Sequence, residues 1–491
     1  MDSKNNEDEK IIICLWALIV CCWGCEDYLN VKPSNVQAIR TYDEVKALLG
    51  GHLRMYAEPD YDNLEGTSIP YIENDIWTFL HFYGDDIDVD TYVKNRYIFG
   101  NIKNLYVESA NWKNTTQPGV IWKAYYSNIG FFNTIIDELS RVEASKEQAD
   151  IVRCEAKVLR AWHLFKLMQY FSPYHLNKYG LPVNLDAQKV AEYDASRKTQ
   201  EEVYRIIISD LTECVECTTE PRSTYNVFYD KNIIHAILAQ VFLYKGDSGA
   251  KADDDYENAA SHAKSALEAL KLQSTEDYEP FPVYNEVLGI SKEAPHALMV
   301  DFRSANELRF IVGNPKSASQ NLYSSASLYA LFKDNDIRKT KFFNDKQVIT
   351  KYMNIATGYV SVELYQFWSA AEMYLIIAES YARSGNESEG KKWLEDFQKH
   401  RYSNYNGYQG NDLLQEILNE RRREFCYEYD MRWCDLSRLQ TGWTRNSYED
   451  AEHPTYTLED NDYRFTLPIP VKEELQYNDI EQNPGWLIVT E

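Results

Sequence analysis

Cys25 is the residue best placed for covalent chemistry, because of the segment in front of it. Residues 11–23 form a run of 13 residues without charge, proline or glycine, and Gly24 and Cys25 close it. Such a run is too short to cross the roughly 30 Å hydrocarbon core of a bilayer, but it suits the apolar part of a signal peptide. A small residue directly before a cysteine is typical of a lipoprotein signal. We therefore predict that residues 1–24 are removed and that Cys25 is acylated, with palmitate among its chains; a secretory signal and a buried N-terminal helix are the alternatives.

The leader departs from the usual lipoprotein pattern in three details. Cys22 and Trp23 depart from the usual lipoprotein signal, and the net acidic segment 1–10 favours a translation start nearer Lys10.

Loss of residues 1–24 removes four acidic and two basic side chains and changes the net charge of the chain from −25 to −23. A surface this acidic repels phosphate backbones and anionic lipids. Nucleic acid is therefore not expected as a partner, and membrane attachment is expected from the acyl chains.

Two groups of residues have a spacing found among metal ligands, but neither has the full pattern of a metal site. Cys214 and Cys217 form a CxxC pair inside a helical pattern, with no second pair and no nearby histidine, so we predict structural cysteines. The segment Gly84–Asp90 carries four aspartates, whose oxygens could hold calcium. It lacks the full loop pattern of an EF-hand. A solvated loop, or one that donates and accepts hydrogen bonds at a ligand, is the prediction, and calcium stays the alternative.

Motifs for catalysis are missing. The sequence contains no HExxH, GxSxG, Walker loop or dinucleotide fingerprint, and its nine histidines include no pair at metal-ligand spacing. Its 76 acidic residues offer too many pairs for any one to indicate a glycosidase. Glu416–Glu424 contains three consecutive arginines that could bind anions, but Glu420 and Glu424 flank them within helical reach and favour an ion-paired scaffold. We predict a binding protein without catalytic residues, metal or cofactor.

The elements that must position a site are mainly helical. Ser145 with Gln148, and Thr199 with Glu202, predict capping boxes at the start of two helices. Helices are predicted at 120–139, 146–171, 203–211, 231–245, 255–270, 363–383 and 387–399, several of them ending at a glycine before a short turn. This αα-hairpin pattern indicates a mainly α fold of tetratricopeptide-like pairs in a right-handed scaffold. Residues 60–117 and 277–354 lack periodicity and are predicted as long irregular insertions.

Short motifs along the whole chain are similar to those of one family. They are 25–33, 41–45, 47–50, Trp122 with Tyr126, Ile129 and Asn133, 155–161, 371–372, 378–379, 420–421, Arg432, 435–436, 467–470 and 482–486. In this order, behind a lipobox cysteine, they resemble the SusD/RagB family of outer-membrane nutrient-binding lipoproteins. Trp368-Ser369 and Trp486 depart from the family's usual residues at positions not expected to contact ligand.

The resemblance implies an architecture and a partner. It implies four tetratricopeptide-like helix pairs, an N-terminal part at 25–275 and a C-terminal part at 276–491. It implies a SusC-like TonB-dependent β-barrel transporter, over which this subunit sits as a hinged lid. Glu26-Asp27 resembles the signal that sends such lipoproteins to the outer face of the outer membrane.

The resemblance also directs attention to the two insertions as the source of ligand contacts. Sugar rings present apolar C–H faces that stack on aromatic rings, while their hydroxyls need amide and carboxylate partners. The candidate ligand residues in 60–117 are Trp77, Tyr83, Asp85, Asp86, Tyr97 and Trp112. The function expected from the family is capture of an oligosaccharide or polysaccharide. A peptide-binding lid is the nearest alternative, and a glycoside hydrolase or a ligand-free adaptor scaffold are less favoured.

Overall fold

The computed structural model describes residues 39–57, 78–88, 112, 116–187, 195–278, 297–303, 323–351, 363–428, 430–446, 455–470 and 480–486. The mainly α fold is confirmed in these residues. The helices are α1 Tyr42–Ala57, α2 Thr78–Tyr83, α3 Thr116–Leu139, α4 Lys146–Phe171, α5 Gln200–Glu216, α6 Lys231–Gly246, α7 Asp255–Leu267, α8 Ala326–Tyr329, α9 Ile337–Phe342, α10 Ala370–Arg383, α11 Glu387–Lys399, α12 Leu413–Phe425 and α13 Met431–Leu439. The strands are β1 Ala297–Arg303, β2 Glu363–Ser369, β3 Trp443–Asn446 and β4 Thr455–Leu458. None of the helices in the described ranges is long and apolar enough to cross a membrane.

Local capping chemistry starts the central helices as predicted. The Ser145 hydroxyl accepts from the Gln148 backbone N–H while the Gln148 side chain accepts from the Ser145 N–H, which completes the capping box of α4. Thr199 and Glu202 do the same at the start of α5. Each box satisfies backbone donors that would otherwise lack a partner, and it therefore sets the first residue of its helix.

Antiparallel helix pairs form the scaffold. Helix α3 packs on α4, α6 packs on α7, and α10 packs on α11, while α7 also lies against α10. Helix α4 is buried on almost every side, so it forms the centre of the molecule. The main apolar core runs from Tyr42 in α1 to Ile480 near the C-terminus, and a smaller cluster of Ala378, Leu394, Leu413 and Ile417 joins α10, α11 and α12. The boundary at residue 275 stays a prediction.

The predicted helix at 363–383 is wrong in its first seven residues. Glu363–Ser369 is strand β2, which pairs antiparallel with β1. Its partner lies inside the 277–354 insertion, which therefore holds regular structure, including α8 and α9. Ser369 ends the strand and caps α10, because its side chain accepts from the Glu372 N–H. A strand partner 60 to 72 residues away leaves no trace in helical periodicity, and the aromatic residues Tyr365, Phe367 and Trp368 were the available signal.

A buried ionic network joins the C-terminal helices. Arg338, Arg401, Arg421, Arg423 and Arg438 are each no more than 1% exposed. The ion-paired scaffold predicted for Glu416–Glu424 is confirmed, but most partners come from elsewhere in the chain. Within α12, Arg423 pairs with Glu420 at 2.7 Å. Glu424 instead accepts from Arg338 and Arg401, and Arg421 pairs with Glu372 and Asp435. Charges buried this deeply persist only when each one has a partner.

Candidate ligand-binding site

The aromatic residues predicted to contact ligand divide into two groups. Trp77 and Tyr97 lie outside the described residues, as does Cys25. Tyr83 ends α2, is fully buried, and meets the Trp433 ring edge-on at 5.3 Å between centroids. Trp112 is 2% exposed, and its indole N–H donates to the Tyr83 carbonyl at 3.1 Å. Tyr83 and Trp112 therefore present no open ring face to a ligand in this structure. That at least one ring among Trp77, Tyr83, Tyr97 and Trp112 stacks on ligand stays a prediction.

The faces of Trp112 are occupied by arginine. The guanidinium carbon of Arg445 lies 4.5 Å from the Trp112 ring centroid, and that of Arg464 lies 5.2 Å away. Arg445 also lies 5.1 Å from the ring of Trp443, whose centroid is 5.3 Å from that of Trp112. Trp112 thus packs edge-to-face against Trp443, and Trp443 lines a pocket.

Asp85 and Asp86 belong to an ionic clamp and not to a solvated loop. Arg432 donates two hydrogen bonds to the Asp85 carboxylate, at 2.7 and 2.8 Å. Arg422 donates to Asp86 at 2.8 Å and to the Asp85 backbone carbonyl at 3.1 Å. Burial alone would raise the pKa of Asp85, but the charges of Arg432 and Arg422 outweigh it and hold that pKa below its ordinary value. The clamp fixes the loop after α2 against α12 and α13.

The pairing of Asp85 and Asp86 with arginine argues against calcium binding by these two carboxylates. Both carboxylates are engaged by guanidinium groups, which compete directly with a cation for the same oxygens. Across the described ranges, no group of three or more histidine, cysteine, aspartate or glutamate side chains is arranged to hold a metal ion.

A pocket of about 560 Å³ opens beside the clamp. Its walls come from the loop after α2, the start of α8, one face of α12, the end of α13 and strand β3. The lining residues are Asp85, Ile87, Asp88, Ser325, Ala326, Ser327, Gln415, Leu418, Asn419, Arg422, Arg432, Leu436, Leu439, Thr441, Gly442, Trp443, Thr444 and Arg445. A cavity of this size, part apolar and part hydrogen-bonding, is typical of a small-molecule or sugar site.

Helix α12 supplies the polar wall of the pocket. Gln415, Leu418, Asn419 and Arg422 line it, at the i, i+3, i+4 and i+7 spacing of one helical face. The Gln415 side-chain amide donates to the Asn419 side-chain carbonyl at 3.1 Å, so the two amides form a ladder along the wall. Amides both donate and accept, which matches the hydroxyl groups of a sugar. Trp443 supplies a half-buried ring.

Sequence reasoning missed this wall. Glu416–Glu424 drew attention by its charges, and those of Glu420, Arg421, Arg423 and Glu424 lie on the face of α12 turned to the ionic network. The polar stripe formed by Gln415, Asn419 and Arg422 lies on the other face and was readable from the helical spacing. Nothing local showed that a pocket opens in front of it, because the facing walls come from distant segments.

The charges around the pocket are balanced. Arg422 and Arg432 are paired with Asp85 and Asp86, and Arg445 donates to the backbone carbonyl of Phe82 at 2.6 Å. Three arginines and three aspartates, Asp85, Asp86 and Asp88, therefore lie at or next to the pocket. The pocket therefore offers hydrogen bonds and a ring face without a strong net charge.

Two family models match successive parts of the chain. The model described as SusD-like, starch-binding associating with outer membrane, matches residues 64–243. The model described as the SusD family matches residues 294–486. Together they span most of the chain. The chain belongs to the SusD/RagB family. It is a SusD-type binding protein.

Solved SusD structures share the fold. A SusD superfamily protein from Bacteroides thetaiotaomicron is 19% identical, with a TM-score of 0.69 over 90% of this chain and 100% of that one. A SusD superfamily protein from Bacteroides vulgatus is 17% identical, with a TM-score of 0.70 over 91% of this chain and 100% of that one. A SusD-like carbohydrate binding protein from the same species is 17% identical, with a TM-score of 0.65 over 90% of this chain and 98% of that one. This SusD-type chain therefore has the family's tetratricopeptide-like helical fold.

One curated protein with a partial match is an enzyme and not a SusD-type protein. A glucose-1-phosphate adenylyltransferase from Ruminiclostridium cellulolyticum is 23% identical over 206 residues. The aligned region covers 41% of that protein's length and 39% of this chain. The match is too partial to transfer an activity.

Proposed function

We propose that this protein is an outward-facing, lipid-anchored outer-membrane subunit that captures a neutral oligosaccharide or polysaccharide. It binds the glycan without turnover and hands it to a SusC-like TonB-dependent transporter. Cys25 carries the lipid, and the pocket beside α12 takes part in capture. The candidate rings Trp77 and Tyr97 stay part of the proposed binding site.

The observation that carries the proposal is the chemistry of the pocket wall. The Gln415–Asn419 ladder offers donors and acceptors and Trp443 offers a ring. Arg422 and Arg432 are already paired with aspartates, and Arg445 donates to the Phe82 backbone carbonyl. A neutral, hydroxyl-rich ligand satisfies such a wall, whereas a peptide terminus or an acidic sugar would lack a free charge partner. The SusD-like carbohydrate binding protein that shares this fold is consistent with a glycan.

The expected affinity suits a subunit that must release its cargo. A ring that covers roughly 40 Å² of sugar face contributes about 1 kcal/mol at about 25 cal/mol per Å². One or two rings with several hydrogen bonds, less the cost of ordering the glycan, give dissociation constants on the order of micromolar to millimolar.

A binding screen with the protein from Glu26 onward tests the proposed cargo. Neutral glycans, uronate-containing glycans and peptides are presented in parallel, and binding is measured by titration calorimetry. We expect binding to at least one neutral glycan class and weaker or no binding to the charged ones. Selective binding of peptides would contradict the glycan proposal and favour a peptide importer, and release of shortened products would contradict capture without turnover.

A second test addresses the lipid anchor. With Cys25→Ala, the acyl chains have no attachment site, so the protein should leave the outer-membrane fraction and become soluble. Fractionation and surface labelling of intact cells measure this, with Cys22→Ala as the matched control, since that cysteine lies within the predicted signal. A Cys25→Ala protein that stays membrane-bound and surface-exposed would contradict the anchor.

A further inference from the structure

Two histidines that lie 27 positions apart in the sequence meet across the pair of helices α6 and α7. His235 lies in the second turn of α6, His262 lies in the middle of α7, and both side chains are half-buried. Their Nδ1 atoms are 2.9 Å apart, and their ring centroids are 5.1 Å apart. The two rings therefore meet nitrogen to nitrogen. The histidines show no metal-ligand spacing along the sequence, so only the tertiary structure brings this pair together.

The protonation of the pair leaves two nitrogens available to a ligand. A ring nitrogen of neutral histidine either donates or accepts, so one Nδ1 donates its proton to the other. Burial and the nearby His235 lower the pKa of His262 to about 4, and burial also lowers the pKa of His235. Both rings are therefore uncharged at neutral pH. When the shared proton is exchanged for one on Nε2 of the same ring, two adjacent Nδ1 lone pairs are left without net loss of a proton.

The surroundings hold the pair in place and favour a cation. Phe242, which lies two turns beyond His235 on α6, stacks on the His262 ring with 5.6 Å between centroids and 5° between the ring planes. The Glu268 carboxylate favours positive charge on His235. The chain as a whole has a net charge of −25, which raises the concentration of cations near its surface.

The ligand atoms and their separation select among cations. Calcium and magnesium take oxygen ligands, whereas copper, nickel and zinc bind imidazole nitrogen. Two nitrogens that each lie about 2.0–2.1 Å from one ion are about 2.9 Å apart when the bonds form a right angle, and about 3.3 Å apart at the tetrahedral angle. The observed 2.9 Å matches the right angle of tetragonal Cu²⁺ or Ni²⁺, and not the tetrahedral angle of Zn²⁺. Of these ions, Cu²⁺ binds nitrogen sites most tightly.

We propose that His235 and His262 bind one Cu²⁺ ion through their Nδ1 atoms, with water in the remaining positions. Each ring turns slightly, so that its Nδ1 lone pair points at the ion. Two protein ligands are consistent with the lack of any group of three such side chains in the described ranges. Neither histidine lines the pocket beside α12, so the site is independent of glycan capture. The ion joins α6 to α7 and therefore stabilises the folded chain by mass action.

Copper titration of the metal-free protein from Glu26 onward tests the proposal. The partly exposed thiol of Cys217 is alkylated beforehand, because thiolates also bind copper. We expect one Cu²⁺ per chain by calorimetry, an electron paramagnetic resonance spectrum of tetragonal copper with two imidazole nitrogens, and a higher melting temperature with Cu²⁺ than without it. No bound copper, a spectrum without imidazole nitrogens, or tighter binding of Zn²⁺ or Ca²⁺ would each overturn the assignment. The spectrum of the unmutated chain makes the test independent of whether variants fold.

Matched histidine variants locate the copper ion. His235→Ala and His262→Ala should each weaken copper binding at least about tenfold, since even changes next to a metal ligand cause losses of that size. Both should also lose the rise in melting temperature on addition of Cu²⁺. His175→Ala is the control, because His175 is an exposed histidine in the turn after α4, and this variant should bind copper as the unmodified protein does. Unchanged copper binding in the two pair variants, or a loss in His175→Ala, would contradict the proposal.

Discussion

Replacing Arg438 by methionine should lower the free energy of unfolding by about 3–5 kcal/mol, because the change leaves buried carboxylates without their shared partner. Arg438 donates to Glu379 at 2.6 and 2.9 Å, to Asp435 at 2.9 Å and to Asp247 at 2.7 Å. These contacts join α6, α10 and α13, and the guanidinium is completely buried. Urea unfolding followed by circular dichroism measures the loss.

Arg141→Met is the matched control for Arg438→Met. Arg141 also pairs with two carboxylates, but its side chain is 42% exposed. A solvated pair of this kind contributes about 0–1 kcal/mol, so the control should unfold almost as the unmodified protein does. Equal losses in the two variants would contradict the role assigned to the buried network.

The pH dependence of the Arg438→Met loss follows from Glu379. Burial alone would raise the pKa of Glu379, but the charges of Arg438 and Arg383 outweigh it and lower that pKa to about 2. The stabilisation is therefore fully present above the unfolded pKa of about 4.3 and is lost as pH falls towards the folded value. The difference between the two proteins should be largest near neutral pH and should shrink below about pH 4. A difference that grows on acidification would contradict this assignment.

Replacing both Gln415 and Asn419 by alanine should weaken glycan binding at least about tenfold, which corresponds to about 1.4 kcal/mol. Both amides line the pocket, and each hydrogen bond that they lose to a sugar hydroxyl contributes about 0.5–1.5 kcal/mol. Gln415 is exposed and Asn419 is half-buried, so the double variant should melt close to the unmodified protein. Calorimetric titration with the best glycan from the screen measures the affinity.

Gln409→Ala is the control for this pair. Gln409 is an exposed amide in the loop before α12, and it does not line the pocket. Its replacement should leave both affinity and melting unchanged. Unaltered affinity in the Gln415→Ala, Asn419→Ala variant would exclude this pocket as the capture site and leave the candidates Trp77 and Tyr97.

Much of the scaffold was determined by the sequence itself. Helices α4 and α5 begin at their predicted capping boxes, and α6 and α10 end at or just before their predicted glycines. Family membership likewise followed from short motifs in a fixed order. These signals act over three to seven residues, through backbone hydrogen bonds and one helical face, so they are present in the local sequence.

Tertiary structure alone decided the exposure of the candidate site residues. Tyr83 and Trp112 have the composition of a ligand surface, yet Trp433, Arg445 and Arg464 cover their rings. Asp85 meets Arg432 across 347 positions of sequence. Whether a side chain faces solvent, a ligand or a neighbour depends on what packs against it, and here those neighbours lie hundreds of residues away. Local pattern carries no information about such contacts, and the pocket beside α12 therefore became visible only when the distant segments were brought together.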